Sequence, residues 1–307
     1  MTVAKEEKKG IWERMAEVDR RLIYGICFIM IAAPLIYPLN LPIGISPETK
    51  SLYDYMLKLP KGSLVMLGLD YGSILSENHP QARSVFTHCM KLGLKVILCG
   101  MWQQGATVSS NYVVDDTKTF AQQKGISEIT NAMKTYGENY VNLGFVPGGS
   151  TGIMQLSQAG FYPILFPRDN YGNDLKDLPF NKFGKPLKDL QAKDIDIMIT
   201  FAAGTPGVEV YQDYLWATGI VKGFAIGAVG VSVAGYYRLL NANIIVGILG
   251  STRGAMEYDQ LGGLTGAAGL SLATMDAQSL EHLWIVVLMV VGNIGTIALA
   301  RRKRGET

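Results

Sequence analysis

Four short runs combine glycine with hydroxyl or charged residues: Asp70-Tyr71-Gly72-Ser73, Gly148-Gly149-Ser150-Thr151-Gly152, Gly204-Thr205-Pro206-Gly207 and Gly250-Ser251-Thr252-Arg253-Gly254. Each follows an apolar run and precedes a segment of helical character. Backbone N–H groups and a hydroxyl would then sit at a helix N-terminus, a setting that favours an anion. Arg253, and Arg168 from a separate polar stretch, could add charge-assisted contacts to a carboxylate or phosphate. The candidate ligand-binding residues are Asp70, Tyr71, Gly148, Gly149, Ser150, Thr151, Thr205, Ser251, Thr252 and Arg253. Such turns are also the ordinary way to leave a strand and cap a helix, so any one of them has a purely structural explanation.

Catalytic signatures do not accompany these turns. The run at 148–152 fits neither the dinucleotide fingerprint nor a phosphate loop with its lysine. Ser150 lacks the spacing of a nucleophile elbow. His79, His88 and His282 form no i,i+4 pair with another ligand, so no metal site and no cofactor are expected. His88 and Cys89 are neighbours on a helix and point about 100° apart, which makes a poor base–nucleophile pair. Cys99 lies inside an apolar strand and reads as a core thiol. Cys89 and Cys99 could pair only in an oxidising compartment, and two free thiols are the expectation. Asp70, at a strand end, could serve as an acid, a base or a metal ligand, or simply cap its turn.

The elements that would position these groups alternate. Residues 63–70, 95–101, 140–146, 194–201, 224–233 and 244–249 read as strands, several as continuous apolar runs buried on both faces. Helical segments are expected at 47–59, 81–92, 117–136, 208–218, 235–240 and 252–260, with Gly93 and Gly137 as stops. Strands alternating with helices imply α/β architecture: a Rossmann-like or flavodoxin-like open, mostly parallel sheet of about six strands. Ligands of such sheets bind outside the carboxyl ends of the strands. A polar excursion at 166–187 reads as a surface loop, either binding or a flap.

Two further stretches are too apolar for a water-soluble domain. Residues 22–41 carry no charge, and residues 283–300 run into Arg301-Arg302-Lys303-Arg304. About 20 apolar residues cross a hydrocarbon core. The expected layout is a leader (1–21), a first membrane helix (22–42), an α/β domain (43–275), a second membrane helix (276–300) and a basic tail (301–307). A cleaved signal peptide is the rival for the first helix, but its charged leader is long and no small-x-small site follows. Lys5, Lys8, Lys9, Arg14, Arg20 and Arg21 flank the first stretch, so the positive-inside rule puts both termini in the cytoplasm and the main domain outside it. The lipid bilayer is therefore the expected partner. Asn293 with Gly292 and Gly295 suggests a homo- or hetero-oligomer through the membrane helices. A net charge of +2 gives no case for nucleic acid.

The run Leu59-Pro60-Lys61-Gly62-Ser63, then Asp70-Tyr71, Lys95-Val96-Ile97 with Trp102 and Gly105, and later Gly250, Arg253-Gly254 and Glu257-Tyr258, resembles a family of uncharacterised prokaryotic membrane proteins. The resemblance covers most of the chain. It implies the same two-anchor α/β layout and carries no activity. The expected function is a ligand-binding or assembly module of a membrane complex. The alternative is a membrane-tethered hydrolase or transferase using the strand-end turns.

Overall fold

The computed structural model describes residues 10–16, 18–37, 39, 41, 44–267 and 271–305. The leader lysines Lys5, Lys8 and Lys9, Pro38, and residues 268–270 of the Gly/Ala-rich stretch lie outside these. The chain divides into two compact units, Ile43–Ser271 and a second made of Met1–Pro42 with Leu272–Thr307.

The larger unit is an α/β fold on one six-stranded parallel sheet. Its strands are β1 (Leu64–Asp70), β2 (Lys95–Gly100), β3 (Tyr140–Phe145), β4 (Ile197–Ala202), β5 (Gly223–Ala228) and β6 (Ile248–Gly250). They lie in the order β3-β2-β1-β4-β5-β6, that of doubly wound dinucleotide-binding sheets. The continuous apolar runs follow from burial on both faces. Every residue of β1, β4 and β5 is buried. Alternate side chains feed two cores: Leu64, Met66, Ile97 and Cys99 on one face, Val65, Leu67, Val96 and Leu98 on the other. Cys89 packs in the second core and Cys99 in the first, so the sheet separates them and both thiols are free.

Several helices differ from the sequence expectation, for local reasons. The helix expected at 117–136 is two: Ser110–Lys124 ends at Gly125, whose φ of +65° is left-handed, and Ser127–Ala132 follows. A π-helical turn, Gln104–Ser109, leads into the first of them. Helix Asn78–Leu92 begins before Pro80, which the first turn tolerates. The strand expected at 224–233 ends at Ala228, and residues from Gly230 to Asn241 are helical. β6 keeps two residues of the expected six, Ile248 and Leu249, and adds Gly250. Its edge is covered: the Ser51 hydroxyl donates to the Val246 carbonyl at 2.7 Å, and Thr49 Oγ1 to that of Ile248 at 3.4 Å.

The polar excursion is a tied loop rather than a free flap. Asp169 is buried and accepts from the Tyr171 and Asn173 amides, the Asn173 side chain and the Tyr136 hydroxyl. A two-residue hairpin, Asn181–Lys182 with Lys185–Pro186, follows. Lys182 joins Asp196 at 2.5 Å, and Asp196 also accepts from Lys222 and the Leu64 amide where β1 begins. Burial alone would raise the Asp196 pKa, but these cations and the amide outweigh it and hold the carboxylate below its usual range.

In the smaller unit, Ala273–Arg301 is the one stretch of helix among the described residues long and apolar enough to cross a membrane. Helix Arg20–Ile36 has 17 residues, about 25 Å at 1.5 Å per residue, short of a hydrocarbon core of about 30 Å. Of the expected pair of flanking spans, the second has a helix of sufficient length among the described residues, and the first is not shown. Gly295 is explained within this unit. A Cβ there would come within 2.5 Å of the Ala16 amide, so the glycine lets helix Ile11–Ala16 approach. Gly292 has no such neighbour.

Candidate ligand site at the carboxyl rim

Strand order reverses between β1 and β4, whose successors run to opposite sides of the sheet. In an open α/β sheet the usual ligand position is the crevice between the two loops that leave such strands. The Ala203 amide donates to the Asp70 carbonyl at 3.0 Å, holding the two strand ends together just below.

Trp102, immediately beyond β2, reaches over this point. Its indole N–H donates to the Pro206 carbonyl at 2.8 Å. The ring lies against Gly72 of the β1 loop and Gly204 of the β4 loop, where added Cβ atoms would sit 3.9 and 3.5 Å from it. Neither glycine has a positive φ. Backbone strain therefore does not require glycine at either position, and a Cβ at either would lie in ordinary van der Waals contact with the indole, that of Gly72 also 3.5 Å from Gln104 Oε1. Gly105 is different. A Cβ there would meet the Tyr71 carbonyl at 2.5 Å and that of Leu69 closer still, so only glycine lets the π turn lie against the end of β1. A second π turn, Gln212–Trp216, follows β4. Such turns concentrate at functional sites.

Asp70 does not face this crevice. It is wholly buried and accepts from the Met101 amide at 2.6 Å and from Thr200 Oγ1 at 3.1 Å, latching β1 to the ends of β2 and β4. Burial pushes its pKa up to about 7, against the Met101 N–H and the Tyr211 and Thr200 hydroxyls, with Glu209 adding to the rise. Tyr71 is also wholly buried, its hydroxyl 3.2 Å from His79 Nδ1. Both residues, expected at the ligand, instead support the floor of the site.

The other expected residues are spread along the rim. Thr205 is exposed on the β4 loop, at the crevice, beside a cis Thr205–Pro206 bond. Gly148, Gly149, Ser150 and Thr151 leave β3, on the far side of β2. Ser251, Thr252 and Arg253 leave β6, on the far side of β5. At about 4.8 Å per strand, β3 and β6 stand roughly 24 Å apart, too far for one shared pocket. Ser251 and Arg253 line a pocket of about 310 Å³ with Glu48, Gly230, Tyr237 and Glu257. Arg253 there is committed to Glu257 at 2.7 Å and to the Gly44 carbonyl at 3.1 Å, and the acids outnumber it, so this pocket does not suit an anion. Gln81 ties the same region together, donating to the Ala228 and Ser251 carbonyls at the ends of β5 and β6.

Among the described residues no cluster of three or more His, Cys, Asp and Glu side chains could hold a metal ion. Both histidines of the larger unit are committed. His79 lies against Tyr71, and His88 Nδ1 meets the Tyr258 hydroxyl at 2.8 Å. No protein-family model, curated protein or solved structure matches the chain. The reading of the site therefore rests on its geometry. What sequence reasoning passed over is the pairing of Trp102 with Gly72 and Gly204. A tryptophan directly after a strand was the available signal.

Proposed function

We propose that the chain is a membrane-anchored binding module whose α/β domain takes a small ligand with a planar ring at the crevice between β1 and β4. One observation carries this reading: an indole at the point of strand reversal, flanked by two glycines whose backbones do not need to be glycine. The half-buried indole offers accessible surface on which a planar ring can stack, beside two positions that carry no side chain. The test is to purify the chain from its native membranes in mild detergent and identify retained small molecules by native mass spectrometry. Gly204→Leu places a side chain beside the indole without straining the backbone. The variant is expected to lose the retained molecule while its melting temperature stays that of the wild type. Equal retention by both would remove the crevice as the site.

Anchoring completes the proposal. The apolar helix Ala273–Arg301 and the uncharged residues 22–41 enter the bilayer, with the basic flanks in the cytoplasm and the α/β domain on the other side. The enzyme alternative is weaker, because Asp70 is inaccessible and neither His79 nor His88 is free to activate Ser150.

A second reading, assembly through the membrane helix, is favoured by Asn293. Its side chain is exposed midway along the apolar helix, and an amide in hydrocarbon is driven to find a partner, worth about 1–2 kcal/mol in model helices. Asn293→Leu is expected to shift the detergent-solubilised protein from oligomer to monomer in light scattering. An unchanged mass would rule out assembly through this residue.

A further inference from the structure

Large apolar side chains of the α/β unit are exposed along the carboxyl rim: Ile45 in the entering chain, Ile74 and Leu75 after β1, Val108 after β2, Phe145 at the end of β3 and Val231 after β5. Two of them are almost free of the protein, Leu75 at 90% exposure and Val231 at 94%. Each is within two residues of a contact between their loops, the Gly230 amide donating to Glu77 Oε2 at 2.7 Å, so the β1 and β5 loops that carry them meet there. Two of the charges nearby are engaged: Glu77 by that amide, Arg253 by Glu257 and the Gly44 carbonyl. An apolar patch of this kind, with Glu77 and Arg253 tied back, is suited to hydrocarbon rather than to a charged partner.

The covalent chain names the occupant. The uncharged stretch ends at Leu41, and Gly44 is already fastened to Arg253 beside the rim. Three peptide units span at most about 11 Å. If residues 22–41 are embedded, as the proposed anchoring holds, the rim cannot stand farther than that from the level at which the chain leaves the lipid. Headgroups and upper acyl chains are then within reach of Leu75 and Val231. We propose that the carboxyl rim around Leu75 and Val231 docks on the bilayer surface, the two side chains inserting into the interface. This inference rests on the membrane reading above. It predicts insertion into a zwitterionic bilayer, since no free cluster of cations is involved.

The test uses the full chain in phosphatidylcholine nanodiscs, with a polarity-sensitive fluorophore on Leu75→Cys or Val231→Cys. Cys27→Ser removes the one cysteine that is not buried. Lys58→Cys is the control. It is exposed beyond the last residue of helix Pro47–Leu57, about 16 Å along the helix axis from the rim. Labels at 75 and 231 are expected to be quenched several-fold more strongly by spin-labelled lipid than the label at 58, and several-fold less by iodide. Iodide quenching equal to that at 58 would leave the rim in water and overturn the proposal. Shielding from both quenchers would overturn it in favour of a protein partner or a second copy. If the chain instead stays with the cytosolic fraction and takes up no lipid, the membrane reading itself fails, a result distinct from either.

Discussion

Asp70→Asn is expected to make the α/β unit more stable than the wild type above pH 7 and no more stable near pH 4. The carboxyl is wholly buried, and its folded pKa stands near 7 against an ordinary 3.8. Between those values the folded chain holds a proton that the unfolded chain has released, so stability falls as pH rises across the window. The favourable contribution is complete below pH 3.8 and gone once the pH has passed about 7. A shift of about three units corresponds to about 4 kcal/mol. Asparagine keeps an acceptor for the Met101 amide and a polar group for Thr200, and it has no proton to lose. Thermal unfolding in detergent from pH 4 to 8 would show the wild-type curve descending towards the variant's and crossing it. Parallel curves would mean that Asp70 ionises in the folded state without penalty. Asp70→Ala separates the two contributions, since it strands the Met101 amide and should be destabilised at every pH.

That same residue marks the limit of what the amino-acid pattern reveals. The continuous apolar run ending in Asp70 placed β1 to within one residue, because a strand buried on both faces leaves no other pattern. Burial of Asp70 itself was not legible, since it depends on Thr200 and Met101, far along the chain. Strand order has the same character. Which strands neighbour β1 is decided by long-range packing, and this decided that Thr205 stands at the crevice while Gly148–Thr151 and Ser251–Arg253 do not. Glycine-rich turns recur at every strand end because each exit needs one, so the turns alone could not say which exit binds. The helix at 110–124 was misplaced because Ser109, Ser110 and Asn111 are poor helix formers, held there by burial and by the bond from Asn142 to Ser110. The one helix among the described residues long and apolar enough to cross a membrane was the clearest in sequence, an uncharged, mostly apolar run closed by four basic residues.

The acid side of the stability profile should be governed by the two buried histidines. Burial lowers His79 to about 4 despite Asp116 nearby, and it lowers His88 to about 4, with Lys91 adding to the effect. Both are neutral in the fold at pH 7, and the unfolded chain takes up their protons first as the pH drops below 6.5. Their contribution is therefore complete above pH 6.5 and lost as the pH falls towards 4, by about 3 kcal/mol for each. Asp70 gains over the same window, but one group against two leaves a net loss, and maximum stability is expected near neutral pH. His88 allows the cleaner dissection. It stacks on Tyr53 with ring centres 4.9 Å apart and bonds the Tyr258 hydroxyl. His88→Phe keeps a ring against Tyr53 but leaves that hydroxyl buried without a partner, a cost of about 1–3 kcal/mol at all pH values. Adding Tyr258→Phe removes the stranded group as well. The double variant should recover most of the stability lost at pH 8 and unfold less readily than the wild type at pH 4.5. If acid instead unfolds the double variant and the wild type with the same slope, protonation of His88 is not what limits the fold.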